Sequence, residues 1–423
     1  MSKPATKARG LKKILLSLGP GIITGASDDD PSGIATYSQA GAQFGLATLW
    51  TALITFPLMA AIQGMCARIG IVTSKGLTTN LKSNYPRFFL YLMLAFSFPA
   101  ITLNIGADIA GMGAVSHMLF PSIPAFLFSI IFTCILLYTI IKYPYQKIAM
   151  ILKWLCLAIL CYILVPFFTT NNWSAVLKKT VVPTIQFNKD FLNILVAILG
   201  TTISPYLFFW QATMEAEDIA HAKKVVIVNK RFLQQMATDV NLGMFFSNLV
   251  MYFIILTTGI VLFNSGIHQI DTVDQAAKAL EPLTGKLSYV LFAVGIVGTG
   301  FLAIPVLGGS ISYIIAETFS WQEGLDKKFH QAKGFYITLI IALVLGLCIN
   351  LLGISPVKAL YYTAILYGIT APVMIAIVLH VCNNKKIMKQ HTNSLFSNIL
   401  GFITLIVMTA AAIALIYFTA TGG

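Results

Sequence analysis

Three consecutive carboxylates stand inside a stretch of chain otherwise suited to hydrocarbon. Residues 14–62 are predominantly apolar, yet they contain the run Ser27-Asp28-Asp29-Asp30-Pro31-Ser32-Gly33. An ionised side chain at membrane depth is costly, and such residues mark function far more often than architecture. Pro31 removes a backbone donor and clashes with the preceding turn, so a helix cannot run unbroken through this point. A helix interrupted at an acid is one way to build an ion site near the bilayer midplane.

Composition supports a membrane setting. The chain is 57% hydrophobic and 10% charged, against about 25% charged in a typical soluble domain. Apolar runs of roughly 18 residues or more read as spans. They predict eleven, near 14–45 (broken), 46–66, 89–119, 123–141, 148–168, 191–214, 237–263, 287–316, 334–353, 357–381 and 396–418. No small-residue cleavage pattern precedes the first, so it is expected to stay in the mature chain. The net charge of +13 is a topology signal. With the N-terminus cytoplasmic, 22 of the 28 Lys and Arg residues fall in inside segments and 6 in outside ones. That is the positive-inside distribution over an odd number of spans. It places the C-terminus outside and requires no nucleic-acid partner. A bacterial inner (plasma) membrane is the expected location, with the lipid bilayer as surroundings and no obligate protein partner. The six cysteines are scattered without a CxxC, as small buried hydrophobes.

A second interruption matches the first. In the sixth span, Leu199-Gly200-Thr201-Thr202-Ile203-Ser204-Pro205-Tyr206 carries a central proline. The two breaks are five spans apart, and five is odd, so the halves would have inverted topology. The expected architecture is all-α and polytopic. One transport domain covers 1–423, with a first repeat at about 11–168, a second at about 191–381, and an accessory helix at 396–418.

The breaks define the candidate site. Asp30 is the charged ligand, and no Lys, Arg or His lies within spans 1 or 6 near the breaks to neutralise it. A bound cation would do so. Gly33, Thr201 and Ser204 would add carbonyl or hydroxyl oxygens. No Cys, Met or His occurs in either break, so the donor set suits hard cations such as Mg²⁺, Mn²⁺ or Ca²⁺. Asp is also a good N-cap and Pro a preferred first helical residue, so one acid can cap the second half-helix while another binds. Asp29, Asp108, Tyr206 and Gln211 are candidates for the access path. Glu215, Glu217 and Asp218 read as a solvated helix end. The glycines of 295–300 and Gly308-Gly309 lie in an apolar span with no preceding strand, so they read as helix packing and not a nucleotide loop. No nucleophile–base pair or His cluster points to an enzyme, and no cofactor is expected.

Several short motifs occur in an order that resembles the NRAMP divalent-metal transporters. They are Gly19-Pro20-Gly21, Asp30-Pro31, Gln39-Ala40-Gly41-Ala42-Gln43-Phe44-Gly45, Ala67-Arg68-Ile69-Gly70-Ile71-Val72-Thr73 with Lys75-Gly76-Leu77, Ala107-Asp108-Ile109-Ala110, and Gly200 to Pro205. The resemblance implies a LeuT-type fold of five plus five inverted spans with discontinuous helices 1 and 6, an eleventh helix, and divalent-cation transport by alternating access. The departures carry information too. The family's Asn ligand falls at Gly33, its Met ligand at Ser204, a later His at Gln211, and an acid of span 3 at Gly111. No Arg follows Arg231, and 357–372 contains no Gln. This pattern is similar to the NRAMP-related magnesium transporters. It implies import of Mg²⁺ and also Mn²⁺ without proton coupling, through a site wide enough for a partly hydrated ion. The membrane potential supplies about 2.3 kcal/mol per charge per 100 mV, or roughly 4.6 kcal/mol for a divalent ion. The alternatives are a proton-coupled Mn²⁺ or Fe²⁺ importer, a carrier of amino acids or amines on the same fold, and a membrane sensor.

Overall fold

The computed structural model describes residues 19–143, 161–170, 172–221 and 228–421. Within them every regular element is helical. Eight helical stretches are long and apolar enough to cross a membrane, and Lys333–Ile349 is a shorter apolar helix. Of the expected span 148–168, only the helix Cys161–Thr169 is described. The expected start of span 1 at 14–18 also lies outside the described residues.

The first span consists of α1 (Pro20–Asp28) and α2 (Pro31–Phe44). The helix α2 stops where Gly45 adopts a left-handed φ of 58° and returns its N–H to the Gly41 carbonyl. Residues 45–49 turn, and α3 runs over Trp50–Thr73, later than the expected 46–66. A short α4 (Leu77–Asn84) follows, then α5 (Arg87–Leu119) and α6 (Ala125–Lys142). After α7 (Cys161–Thr169) and α8 (Trp173–Val181), the sixth span is α9 (Lys189–Thr202) with α10 (Pro205–Ala220). The remaining spans are α11 (Lys230–Val261), α12 (Ser288–Phe319), α13 (Lys333–Ile349), α14 (Pro356–Asn383) and α15 (Leu395–Thr421).

The two breaks share a backbone. Each has one residue past the helix with ψ near 56° (Asp29, 56°; Ile203, 57°), then an extended residue (Asp30, ψ 170°; Ser204, ψ 124°), then proline in the first turn. Proline has no N–H to lose at that position and its φ suits a helix start. The packing is paired as well. Both halves of span 1 lie along α11, and the second half of span 6 lies along α3. Spans 1 with 7 and 6 with 2 are the partners an inverted repeat exchanges.

Small residues allow the close approaches. A Cβ at Gly25 would press into the Gly243 backbone, where α1 crosses α11. A Cβ at Gly200 would lie 2.8 Å from the Gly368 Cα, where α9 crosses α14. Close packing also accounts for Gly300 and Gly309, which meet Met112 and Trp210. The broken sixth span is central, 89% buried in its most apolar window, whereas α15 is 28% buried and peripheral. The uncovered faces of α6 and α15 carry Leu127, Ile131, Ile135, Ile399, Phe402, Ile406 and Ile413. Such a surface is expected against lipid tails.

Candidate metal centre

The three acids of the first break diverge. Asp28 Oδ2 accepts from Ser247 Oγ of α11 at 2.6 Å, and Asp29 Oδ1 lies 3.4 Å from the same hydroxyl. Asp30 turns the other way. Its Oδ1 accepts from the Gly33 N–H at 2.6 Å, capping α2, and its Oδ2 accepts from Asn104 Nδ2 of α5 at 2.9 Å. Capping and site-building therefore involve the same side chain.

A hydrogen-bonded chain continues from Asn104. Its Oδ1 accepts from Thr363 Oγ1 at 3.0 Å, and Thr363 lies 3.2 Å from Ser32 Oγ, which bonds the Leu360 carbonyl at 2.8 Å. This ties α2, α5 and α14 around Asp30. One helical turn beyond Asn104 and Thr363, on the same faces, stand Asp108 and Tyr367. Both Asp108 oxygens and the Tyr367 hydroxyl are buried without a hydrogen-bond partner, as is Asp28 Oδ1. Asp108 faces the Ser32 backbone amide and the Asp30 carboxylate without a bond of ordinary geometry to either. Buried polar atoms with no protein partner are where an ion, a water or a proton is expected.

The second break supplies neutral oxygens. A Cβ on Gly33 would meet Thr201 Oγ1 at 3.3 Å and the Asp28 carbonyl at 3.4 Å, so Gly33 and Thr201 are brought together. Ser204 behaves differently from the expectation of a ligating hydroxyl. Its Oγ donates to the Thr201 and Gly200 carbonyls at 2.6 and 3.1 Å, satisfying groups that the missing turn leaves open. Its lone pairs, not its proton, remain for a cation. Tyr206 and Gln211, expected along the access path, join the half-helices. Tyr206 Oη donates to the Ser27 carbonyl at 3.2 Å, and Thr24 Oγ1 lies 2.5 Å from Gln211 Oε1. Tyr37 and Thr202 hydroxyls, 3.2 Å apart, join α2 to α9. Asp30, Thr201 and Ser204 are each 2% exposed, so the centre is closed from both ends.

Among the described residues no three His, Cys, Asp or Glu side chains converge as a metal-ligand set. An ion at the breaks would rest on a carboxylate with hydroxyl and carbonyl oxygens, a hard donor set. Asn104, Ser247, Thr363 and Tyr367 were not singled out from sequence. Asn104 and Asp108 carry a legible signal, polar residues four apart in an apolar helix. The others sit on spans whose facing direction only packing defines.

One expectation fails at the far end of α10. Glu215 is buried, not solvated, and accepts from Gln211 Nε2 at 2.9 Å. Nearby, Glu317 at the end of α12 caps α4: it accepts from the Thr79 N–H at 2.5 Å, the Thr79 hydroxyl at 2.8 Å and Thr213 Oγ1 at 3.1 Å. Lys82 bonds the carbonyls of Glu317 and Thr318 at 3.2 and 2.7 Å. In the loop beyond α12, burial pushes the Glu323 carboxyl up to about 9; Glu317 and Glu217 add to the shift and Lys327 opposes it. Spans 2, 6 and 8 are thus latched together at this end.

The sequence pattern of the family described as natural resistance-associated macrophage protein-like matches residues 21–418. The chain belongs to the Nramp family. It is 26% identical over 417 residues to a divalent metal cation transporter MntH of Caldanaerobacter subterraneus subsp. tengcongensis, covering 97% of this chain and 95% of that one. It is 24% identical to the Mycobacterium leprae protein of the same name, covering 97% and 94%. Among solved structures it is similar to a manganese transporter of Eremococcus coleocola, with TM-score 0.76, 18% identity, and coverage of 98% and 89%. Mhp1, a nucleobase-cation-symport-1 family transporter, matches with TM-score 0.56, 12% identity, and coverage of 93% and 92%. The all-helical LeuT-type architecture that the resemblance implied is therefore the fold of this Nramp chain.

Proposed function

We propose that this Nramp chain is a divalent metal transporter that imports hard cations, Mg²⁺ together with Mn²⁺, by alternating access and without proton coupling. The ion is cargo, and the reading includes neither an enzymatic step nor a resident cofactor. The carrying observation is the oxygen lining of the closed centre: the Asp30 carboxylate bound to Asn104, with Gly33 and Thr201 side by side opposite. The relatives bear the name divalent metal cation transporter, and one similar structure is titled a manganese transporter, which supports the cargo class.

Magnesium is favoured by donor chemistry. Mg²⁺ dehydrates reluctantly and keeps several waters, which need room and hydrogen-bond acceptors and gain nothing from a thioether. Gly33 leaves that room, Ser204 replaces a soft donor with a hydroxyl, and the buried acceptors of Asp108 and Asp28 are available to bound water. Asn104 donates an amide N–H to Asp30 and so fixes the carboxylate, in a chain that has Gly33 where the family has Asn. Spans 1 and 6, joined by Tyr206 and Ser27, would rock as one unit. In this reading the repeats span about 11–168 and 191–381, helix 396–418 is accessory, and a bilayer covers the apolar girdle. The membrane is the bacterial plasma membrane, with the N-terminus cytoplasmic and the C-terminus outside.

A second reading, proton-coupled import of Mn²⁺ or Fe²⁺, is favoured by the same unpartnered carboxylates, because a proton would neutralise them as a cation would. Purified protein in liposomes distinguishes the two. Mg²⁺ uptake driven by an inside-negative potential, unchanged by a pH gradient, is expected. Uptake of Mn²⁺ alone, with acidification of the lumen, would select the second reading.

A further inference from the structure

Above the closed centre, at the end bearing loop 264–286, lies a cavity of about 210 Å³. Its polar lining comes from four parts of the chain: Gln39 and Gln43 of α2, Asp190 and Asn193 of α9, Gln269 of the loop, and Lys358, Tyr361 and Tyr362 of α14. We propose that this cavity is an outer-sphere site for a divalent cation that still carries its complete shell of six waters, with Asp190 as its counter-charge. The inference rests on the transport reading above for its direction, and the experiment below separates the two.

Size and chemistry agree. Water occupies about 30 Å³, so six waters fill roughly 180 Å³, which the cavity accommodates. The outward-facing groups of a hydrated cation are O–H donors, so a site that recognises it must offer acceptors. Asp190 offers two, and the Asn193 and Gln269 carbonyl oxygens offer more. Gln269 uses its Nε2 on Asp271 at 3.3 Å, which leaves its oxygen accepting. Gln39 is a positioning residue. Its Oε1 holds the Ile270 N–H at 2.9 Å and its Nε2 reaches Gln43 Oε1 at 3.3 Å, fixing the loop over the cavity. Lys358, the cationic group of the lining, is engaged by Asp271 at 3.5 Å, so the pair adds no net charge and Asp190 sets the sign.

The space beside the cavity is too small for such an ion. Ala35, Ile270 and Val357 line the cavity and also a second, apolar space of about 20 Å³, which reaches Pro31, Gly111 and Leu360. That space suits about one water. Ala35 follows Asp30 by five residues, roughly 7.5 Å along a helix at 1.5 Å per residue. The hydrated ion is thus held more than one helical turn short of the centre, and it sheds water before reaching Asp30. Two filters act in series, one on the hydrated ion and one on the partly dehydrated ion.

Hexaamminecobalt(III) is the probe: it has the size and donor surface of a hexahydrated cation but cannot shed its ligands. Equilibrium dialysis on the whole detergent-solubilised protein is expected to detect its binding, and in liposomes it should inhibit Mg²⁺ uptake competitively from the outside without accumulating. Asp190→Asn should weaken its binding roughly fivefold or more, as loss of one charge near a multivalent ion requires. It should also raise the KM for Mg²⁺ while leaving kcat intact, and Asp190→Glu should restore both. Asp30→Asn, which is expected to stop flux, should still bind the probe. Unchanged probe affinity in Asp190→Asn, or loss of it in Asp30→Asn, would overturn the assignment. Because dialysis needs no transport, failure of Mg²⁺ flux with Asp190-dependent binding intact would reject the transport reading alone.

Discussion

Asp30 caps a helix and is proposed to hold an ion, and two substitutions separate these roles. Asn caps a helix as well as Asp does. In Asp30→Asn the Oδ1 bond to the Gly33 N–H, 2.6 Å long, can persist, and the amide next to Asn104 can be accommodated by rotation of one carboxamide. The expected loss of stability is below about 1 kcal/mol. In Asp30→Ala the cap and the Asn104 bond both go, at roughly 0.5–2 kcal/mol for the cap and about 1–3 kcal/mol for a buried amide left without an acceptor. For the ion the ranking changes. A divalent cation about 4 Å from one carboxylate, in an effective dielectric near 20, gains roughly 8 kcal/mol gross. If a third of that survives desolvation, its removal costs about 2.7 kcal/mol, or a hundredfold in affinity. Asp30→Asn should therefore unfold almost where the native protein does, by fluorescence-detected thermal unfolding in detergent, yet lose Mg²⁺ and Mn²⁺ uptake by about a hundredfold or more. Native-like uptake by Asp30→Asn, with loss confined to Asp30→Ala, would mean that the residue is a cap and nothing else.

Other outcomes follow from the same geometry. Ser204→Met removes a donor to the Thr201 and Gly200 carbonyls, worth about 1 kcal/mol, and introduces a thioether. Cd²⁺ should then compete for Mn²⁺ uptake at lower concentration, and an unchanged inhibition constant would refute the role of donor softness. Glu317→Ala leaves the Thr79 amide and hydroxyl without their acceptor, each bond to the carboxylate being worth roughly 1.5–3 kcal/mol. Hydrogen exchange across 76–84 should accelerate strongly, and unaltered protection would show that the latch carries no load. Glu323 is pushed up to about 9 in the folded chain, against an ordinary value of 4.5. The folded state then binds more protons than the unfolded state between those values, so stability falls as pH rises through that window. Local exchange in the 320–332 loop should increase from pH 6 to pH 9 beyond the intrinsic rate. Glu323→Gln should flatten that excess, and an identical profile in both proteins would contradict the shift.

Much of the architecture was legible because hydrocarbon imposes simple rules. Runs of apolar residues long enough to span, Pro31 and Pro205 where a helix cannot continue, and basic residues crowded on alternate connections require no knowledge of packing. Boundaries were less legible. The left-handed Gly45 shifts the start of the second span, and no hydropathy signal reports a φ angle. The two breaks that frame the candidate centre were legible along the chain, but their internal wiring was not visible. Ser204 turns its hydroxyl proton onto its own helix, and Glu215 is buried beside Gln211. The first uses carbonyls that the break leaves open within its own span, and the second is buried by the helix packed against it, whose Gly70 faces the Glu215 Cβ; hydropathy reports neither.

The sequence by itself determined that this chain crosses a membrane many times, that it breaks twice at equivalent points, and that acid lies at one of the breaks. Those properties are set by local chemistry: hydrophobic length, a missing backbone donor and the cost of an isolated charge. Only the tertiary structure decided where three adjacent carboxylates point. Asp28 meets Ser247 on the seventh span and Asp30 meets Asn104 on the third, because consecutive residues at a helix break face different directions and each is held by the side chain that close packing brings opposite it.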